Sequence, residues 1–306
     1  MGAAGLDGEI DAIGAIATGG IGDAEEKRRP SSSGGAFSRP ALSALASSAY
    51  HPANATQGDE TKMDALTRVK RDVVIANRIL AQNDVLDAYG HVSIRHPHDP
   101  NKYLLARSLS PAIVEEDDII EFHLDGTPVN PDEKRPLYLE RYIHGAAYER
   151  RPDVMAVLHS HAEDVLPFSI SKKVRLRPVI HNVGDMGAEV PVWDIADKFG
   201  DETTLLVTNM AQGRDLATCL DCNRLALMRG HGFVCVGRSI NDLVRLSVFI
   251  PRNARVMMNA MRMGEFISLS RGEVEARLKL DTESPALKRG WEFWAREAGV
   301  GHLLED

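Results

Sequence analysis

Two apolar runs constrain the fold more than anything else in this chain. They are VMAVLHSHA at 154–162 and LALMRGHGFVCVG at 225–237. The first is short, rich in apolar and β-branched residues, and follows Pro152. It reads as a buried strand. The second has two apolar arms around Gly230-His231-Gly232 and reads as a strand pair with a glycine-flanked turn. A chain with these runs must build a sheet. Upstream, YGHVSIR and YLLA read as short strands, and IIEFHLDGTPV as a hairpin whose Asp125-Gly126 supplies a positive φ. Short strands are also expected around Pro178–His181, Val190–Trp193 and Leu205–Thr208.

Helices are interleaved with these strands. Leu66, Val69, Val73, Ala76 and Leu80 recur at spacings of three and four, one apolar stripe on a helix. A second helix is predicted from Leu139 to about Arg150, stopped by Pro152. A third spans about Gly213–Cys219. A long one begins after Ser239, a favourable N-cap, and Pro251 is expected to kink or split it. From Gly272 an amphipathic segment carries Trp291 and Trp294. Hairpins mixed with helices give an α/β fold of three layers, α/β/α, around a mainly antiparallel sheet. The alternation is too irregular for a doubly wound sheet, and no phosphate-binding glycine motif follows a strand.

Composition closes off other classes. The chain has 36 Lys+Arg against 44 Asp+Glu, a net charge of −8, with no dense basic run. That argues against nucleic acid and anionic membrane as partners. Three cysteines cannot form a disulfide framework, which points to a reducing, cytoplasmic setting. Cys219 and Cys222 lack a second pair to complete a zinc site and read as packing thiols. Met257, Met258, Met261 and Met263 read as core or subunit contact. Residues 1–62 are dominated by small and polar residues without lasting apolar periodicity and read as a disordered tail. The domain is expected over 63–270, with 271–306 a helical extension packing on it or on a neighbouring subunit.

The chemistry lies in histidine. His159 and His161 sit two apart near a strand end, where alternate residues share a face. With 11 histidines in 306 residues, chance alone gives roughly 0.4 such pairs, so spacing is weak support by itself. His96 and His98 form another pair, in a turn. His231 adds weight because its glycine neighbours let it approach a tight site. Three imidazoles with an open position suit a catalytic divalent ion. Glu140 opens the predicted helix. A carboxylate there can serve as acid, base or fourth ligand, or simply complement the helix dipole. His144, one turn on, can orient Glu140 or pack.

In this order, Glu140-x3-His144-x3-Tyr148, RPDVMAVLHSHA and LMRGHGFVCVG resemble the class II aldolase/adducin family over residues 64–265. The resemblance implies the three-layer fold and a homotetramer with active sites at subunit contacts. It also implies that one divalent metal per subunit (Zn, Mn, Fe or Co) is held by His159, His161 and His231, with Glu140 as the catalytic carboxylate. Sugar-phosphate aldolases of the family carry two serines before that Glu. Tyr138 and Leu139 stand there instead, which argues against a phosphorylated substrate. Where the family has G-N-x-S, this chain has Gly90-His91-Val92-Ser93, and Arg107-Ser108-Leu109-Ser110-Pro111 replaces its small-residue loop. These changes resemble the branch that decarboxylates hydroxylated aromatic or pyridine carboxylates. On that reading Tyr138 and His91 are secondary proton donors beside Glu140. Arg107, with Ser108, receives a small carboxylate substrate, and His181 lines the pocket. An aldolase or epimerase acting on an unphosphorylated hydroxy acid or sugar acid is the alternative enzyme. A non-catalytic adducin-like interaction module is the alternative outside enzymology.

Overall fold

The computed structural model describes residues 64–279, 281–282 and 284–304. The tail expected over 1–62 lies outside them. The first helix, α1 (Ala65–Gln82), starts where Asp64 accepts the Leu66 N–H at 3.1 Å. It buries the face carrying Val73, Ala76 and Leu80, as its apolar spacing predicts. Strands β1 (His91–Arg95), β2 (Lys102–Ala106) and β3 (Ile119–His123) follow. Gly126 has φ +82° and turns the chain after β3. The expected second hairpin arm shrinks to one bridge, Phe122 to Pro128, flanked by bonds from the His123 amide to the Thr127 carbonyl and from the Val129 amide to the Glu121 carbonyl at 2.9 and 2.8 Å. Next come α2 (Arg141–Arg150), β4 (Ala156–Ser160), α3 (Leu166–Ile170), β5 (Val192–Trp193), α4 (Ala196–Phe199) and α5 (Met210–Leu220). The chain continues through β6 (Leu225–Met228), β7 (Gly232–Gly237) and α6 (Ile240–Met263), and ends in α7 (Arg271–Leu278) and α8 (Pro285–Glu297).

The strands form one seven-stranded sheet in the order β3-β2-β1-β4-β7-β6-β5. Every pairing is antiparallel except β5 with β6. The two runs that anchor the sequence reading thus lie side by side at its centre, with His159 opposite Val234. In an antiparallel pair, opposed residues share a face. His91 is opposite His159, and Ser93 opposite Val157, so these four project toward one side. That side is covered by α2, whose His144 and Tyr148 bond to His91 and Ser93. The other side carries Ser160, which donates to the Val85 carbonyl just beyond α1. Helices on both faces of a mainly antiparallel sheet are the three layers expected.

Two glycines let α2 pack closely, Gly213 of α5 against it and its own Gly145 against the turn after β3. A Cβ on Gly213 would lie 2.5 Å from the Tyr142 carbonyl oxygen, and one on Gly145 would lie 2.0 Å from the Leu124 oxygen. Both obstacles are backbone and cannot rotate away. Gly145→Ala is therefore expected to cost about 3 kcal/mol or more, the upper end for overpacking. A thermal melt should show Tm lowered by roughly 6 °C or more.

Three local expectations need correction. No strand forms at Pro178–His181. Instead the Val179 and Ile180 amides donate to Asn253 Oδ1 at 2.8 and 3.2 Å, so one side chain takes the place of a neighbouring strand. Nor does one form at Leu205–Thr208, because Leu205 takes φ +65° and breaks the extended chain. Finally, Pro251 does not split α6, which runs 24 residues without interruption. Its neighbours Ile250, Asn253 and Ala254 are buried, so tertiary packing holds that turn in place, and Asn253 Nδ2 also donates to the Arg177 carbonyl at 2.8 Å. The C-terminal helices pack on this body through Trp291 and Trp294, both buried, with Trp294 edge-on to Phe249 of α6. Among the described residues no helix is long and apolar enough to cross a membrane.

Candidate metal centre

Four side chains from separate parts of the chain converge over the sheet centre. Glu140, His159, His161 and His231 each place one ligating atom within 4.8 Å of all the others. Their positions follow from the elements that carry them. His159 lies inside β4 and is fully buried. His161 follows one residue beyond the strand end, on the same face. His231 is in the turn between β6 and β7, where Gly230 has φ +63°. A Cβ on Gly232 would strike the Ser160 carbonyl at 2.2 Å, so glycine is what lets this turn close against β4. Glu140 is the residue preceding α2, and its side chain makes no capping bond to the helix. Its dipole-complementing role is thus displaced by another task.

Hydrogen bonds determine which nitrogens point inward. His159 Nδ1 meets the Phe233 carbonyl at 3.2 Å, and His231 Nδ1 the Leu205 carbonyl at 2.8 Å. His161 Nδ1 meets the Asp87 carboxylate at 3.1 Å. All three partners only accept, so each Nδ1 carries the proton and each Nε2 keeps a lone pair. The lone pairs face one another. His161 Nε2 is 2.9 Å from His159 Nε2. Glu140 Oε2 lies 3.3 Å from His159 Nε2 and 3.4 Å from His231 Nε2. Four electron-rich atoms this close repel unless a cation sits among them. Metal–nitrogen bonds of about 2.1 Å allow two such nitrogens to sit roughly 3 Å apart on one ion. The donor set therefore fits a divalent metal.

The electrostatics agree. Burial alone would raise the Glu140 carboxyl, but the adjoining His159 and His231 rings hold it well below the usual carboxylate range. Burial lowers His231 too, yet Glu140 outweighs it and leaves that ring above its ordinary value. Burial drives His161 down to about 4. Glu140 Oε1 accepts the Val207 amide at 2.9 Å, which fixes the carboxylate plane. The irregular stretch at 205–207 thus supplies both the Leu205 carbonyl and the Val207 amide. A bulky residue at positive φ is strained, and here the strain accompanies direct service to the cluster.

The other candidates are placed as follows. His91 is buried beside the cluster, its ring centroid 5.3 Å from that of His159 and 4.5 Å from Tyr138. Burial holds it well below its ordinary pKa. His144 bonds to His91 rather than to Glu140, with Nε2 2.6 Å from His91 Nδ1, and burial lowers it to about 3. The Tyr138 hydroxyl donates to the Leu109 carbonyl and is pushed up to about 12 by burial, so its proton is already committed. Arg107 Nε is 2.6 Å from Asp118 Oδ1, an internal carboxylate. Ser108 is exposed, and its amide donates to the Pro136 carbonyl at 2.8 Å. His181 does not join this group within the chain. It begins a 3-10 turn and lines a separate cleft of about 750 Å³ with Asp185, Arg245 and Trp294. The cysteines at 219, 222 and 235 are free.

Sequence reasoning missed Asp87, which orients His161, along with Leu205, Val207 and the partners of His144. Asp87 sits in the loop after α1 and also accepts the Tyr89 and Gly90 amides at 2.8 and 2.7 Å. The motif D-x-x-G marks it only as a turn former.

Comparison with known proteins extends this geometry. Decarboxylase tropJ of Talaromyces stipitatus is 34% identical over 254 residues, covering 76% of this chain and 95% of that protein. The 3,4-dihydroxyphthalate decarboxylase of Arthrobacter keyseri is 25% identical over 206 residues, covering 63% and 78%. Among solved structures, an aldolase II superfamily protein from Pseudomonas syringae superposes with a TM-score of 0.64 at 21% identity, covering 78% of this chain and 94% of that one. Residues 71–258 match the class II aldolase and adducin N-terminal domain. With that span and those relatives, the protein belongs to the class II aldolase/adducin family.

Proposed function

We propose that this protein is a divalent-metal-dependent carbon–carbon lyase that decarboxylates a hydroxylated aromatic carboxylate. The observation that carries the reading is the convergence of three inward Nε2 atoms and one ionised carboxylate. Two relatives that bear decarboxylase names support the choice of reaction. Tyr138 and Leu139 support an unphosphorylated substrate, since neither offers the paired hydroxyls that hold a phosphate. His159, His161 and His231 would hold the metal. When bound, it would act as a Lewis acid toward a substrate oxygen.

The chain's own residues would then move one proton. Glu140 is ionised at rest, so it begins as a base and takes the proton of the ring hydroxyl. It returns that proton to the ring carbon bearing the carboxylate. The carbon–carboxylate bond then breaks, its electron pair restores the aromatic ring, and carbon dioxide leaves. Solvent reprotonates the ring oxygen. The net reaction is carboxylate plus proton to arene plus carbon dioxide. Arg107 and Ser108 are assigned to the substrate's outer carboxylate, which requires Arg107 to share Asp118 or to leave it. The reading carries with it a homotetramer, which would bring a neighbour's residues, His181 among them, to each site.

The test is carbon dioxide release from a panel of hydroxybenzoic and hydroxyphthalic acids, run with Mn, Zn and Fe in parallel. At least one member should turn over in a metal-dependent manner. Cleavage of hydroxy acids or sugar acids, with no carbon dioxide from any aromatic acid, would overturn the decarboxylase in favour of an aldolase. Asp87→Asn should weaken zinc binding about 10- to 100-fold in chelator competition, the usual effect of losing the partner that orients a ligand. His161 would keep its ring but lose the anionic acceptor that fixes its tautomer.

A further inference from the structure

Behind His91 runs a hydrogen-bond chain that neither the ligand set nor the proton transfer uses. His91 Nδ1 lies 2.6 Å from His144 Nε2, and His144 Nδ1 lies 2.6 Å from Ser93 Oγ. Ser93 Oγ lies 2.9 Å from the Tyr148 hydroxyl. Every member is at most 2% exposed. Among the described residues, His91 Nε2 has no hydrogen-bond partner, although its ring lies against that of His159.

Such a chain can point either way, and its outer end decides which. Among the described residues, the Tyr148 hydroxyl has one hydrogen-bond partner, Ser93 Oγ. Ser93 is therefore the acceptor open to Tyr148. If protons pointed from His91 outward, Ser93 would donate to Tyr148 and leave a fully buried phenolic proton without an acceptor, an arrangement folded proteins avoid. Pointing inward, every proton is paired. Tyr148 donates to Ser93, Ser93 to His144 Nδ1, and His144 Nε2–H to His91 Nδ1. His91 is then a neutral imidazole whose single proton is on Nε2, the nitrogen with no internal partner.

We propose that His91 donates this Nε2–H to an anionic oxygen of the bound substrate, and that Tyr148, Ser93 and His144 are positioning residues that fix it as a donor. The oxygen is a carboxylate or ring oxygen of the aromatic acid. That part rests on the lyase reading, whereas the direction of the chain does not.

Two measurements on the zinc-loaded full chain test this without turnover, so they stand apart from the carbon dioxide assay. Long-range proton–nitrogen correlation on histidine-labelled protein should show His91 protonated on Nε2 alone. Protonation on Nδ1 would overturn the assigned direction. In Tyr148→Phe, which keeps the packing ring, that single-tautomer signature should blur; an unchanged signature would remove Tyr148 from the chain. Calorimetry with 2-hydroxybenzoate and with catechol then identifies the oxygen. In His91→Phe, binding of 2-hydroxybenzoate should weaken about 10- to 100-fold, as loss of a hydrogen bond to a charged group does. Catechol binding preserved would assign the carboxylate, and catechol weakened equally would assign the ring oxygen. Unchanged binding of both probes, or no binding of either by the wild type, would overturn the grip.

Discussion

His159→Ala is expected to abolish turnover and to release the metal. His159 is fully buried in the central strand, and its Nε2 stands at the hub of the cluster, 2.9 Å from His161 and 3.3 Å from Glu140. Structural zinc sites with four ligands are worth about 10–16 kcal/mol, so one ligand's share is roughly 3 kcal/mol. That corresponds to about two orders of magnitude in affinity. The variant also leaves the Phe233 carbonyl without the His159 partner, so circular dichroism should accompany elemental analysis. A folded His159→Ala protein with full metal content and activity would refute the ligand assignment.

Glu140→Gln is expected to separate chemistry from metal binding. The amide oxygen can still accept the Val207 N–H, so the side chain should hold its place. What it loses is the capacity to take and return a proton. Positioned acid–base groups contribute roughly 10²- to 10⁴-fold, and kcat should fall by that factor while zinc content stays near stoichiometric. Loss of zinc with the activity would instead make Glu140 chiefly a ligand. The pair of variants is diagnostic because the carboxylate touches two of the three imidazoles and is not interchangeable with them.

Much of this arrangement was legible in the sequence because periodicity and turn chemistry act locally. The stripe from Leu66 to Leu80 gave α1, and Ser239 gave the start of α6, where its Oγ accepts the Asp242 amide at 3.2 Å. The apolar arms around Gly230-His231-Gly232 gave the central hairpin, and with it His231 beside His159 and His161. What remained hidden depends on contacts across long separations. The backbone at 178–180 looked strand-like because nothing local announces that Asn253, over seventy residues on, will take its amides. Leu205 opens a stretch whose Val207 and Thr208 favour a strand, yet it is held at positive φ by a task seen only in three dimensions, a carbonyl aimed at His231. Helical spacing allows His144 either to orient Glu140 or to pack, and does not choose between them. The pairing of β1 with β4 brings His91 closer to it, and the hydrogen bond goes there instead. Asp87 carried no signal beyond that of a turn residue.

Nε2 of His159, His161 and His231 are expected to share one ion. Anomalous diffraction at the metal edge, on crystals grown with manganese or zinc, measures this directly. One peak within bonding distance of all three nitrogens is the predicted result. Saturating metal with no peak at this cluster, or a peak bound elsewhere, would contradict it.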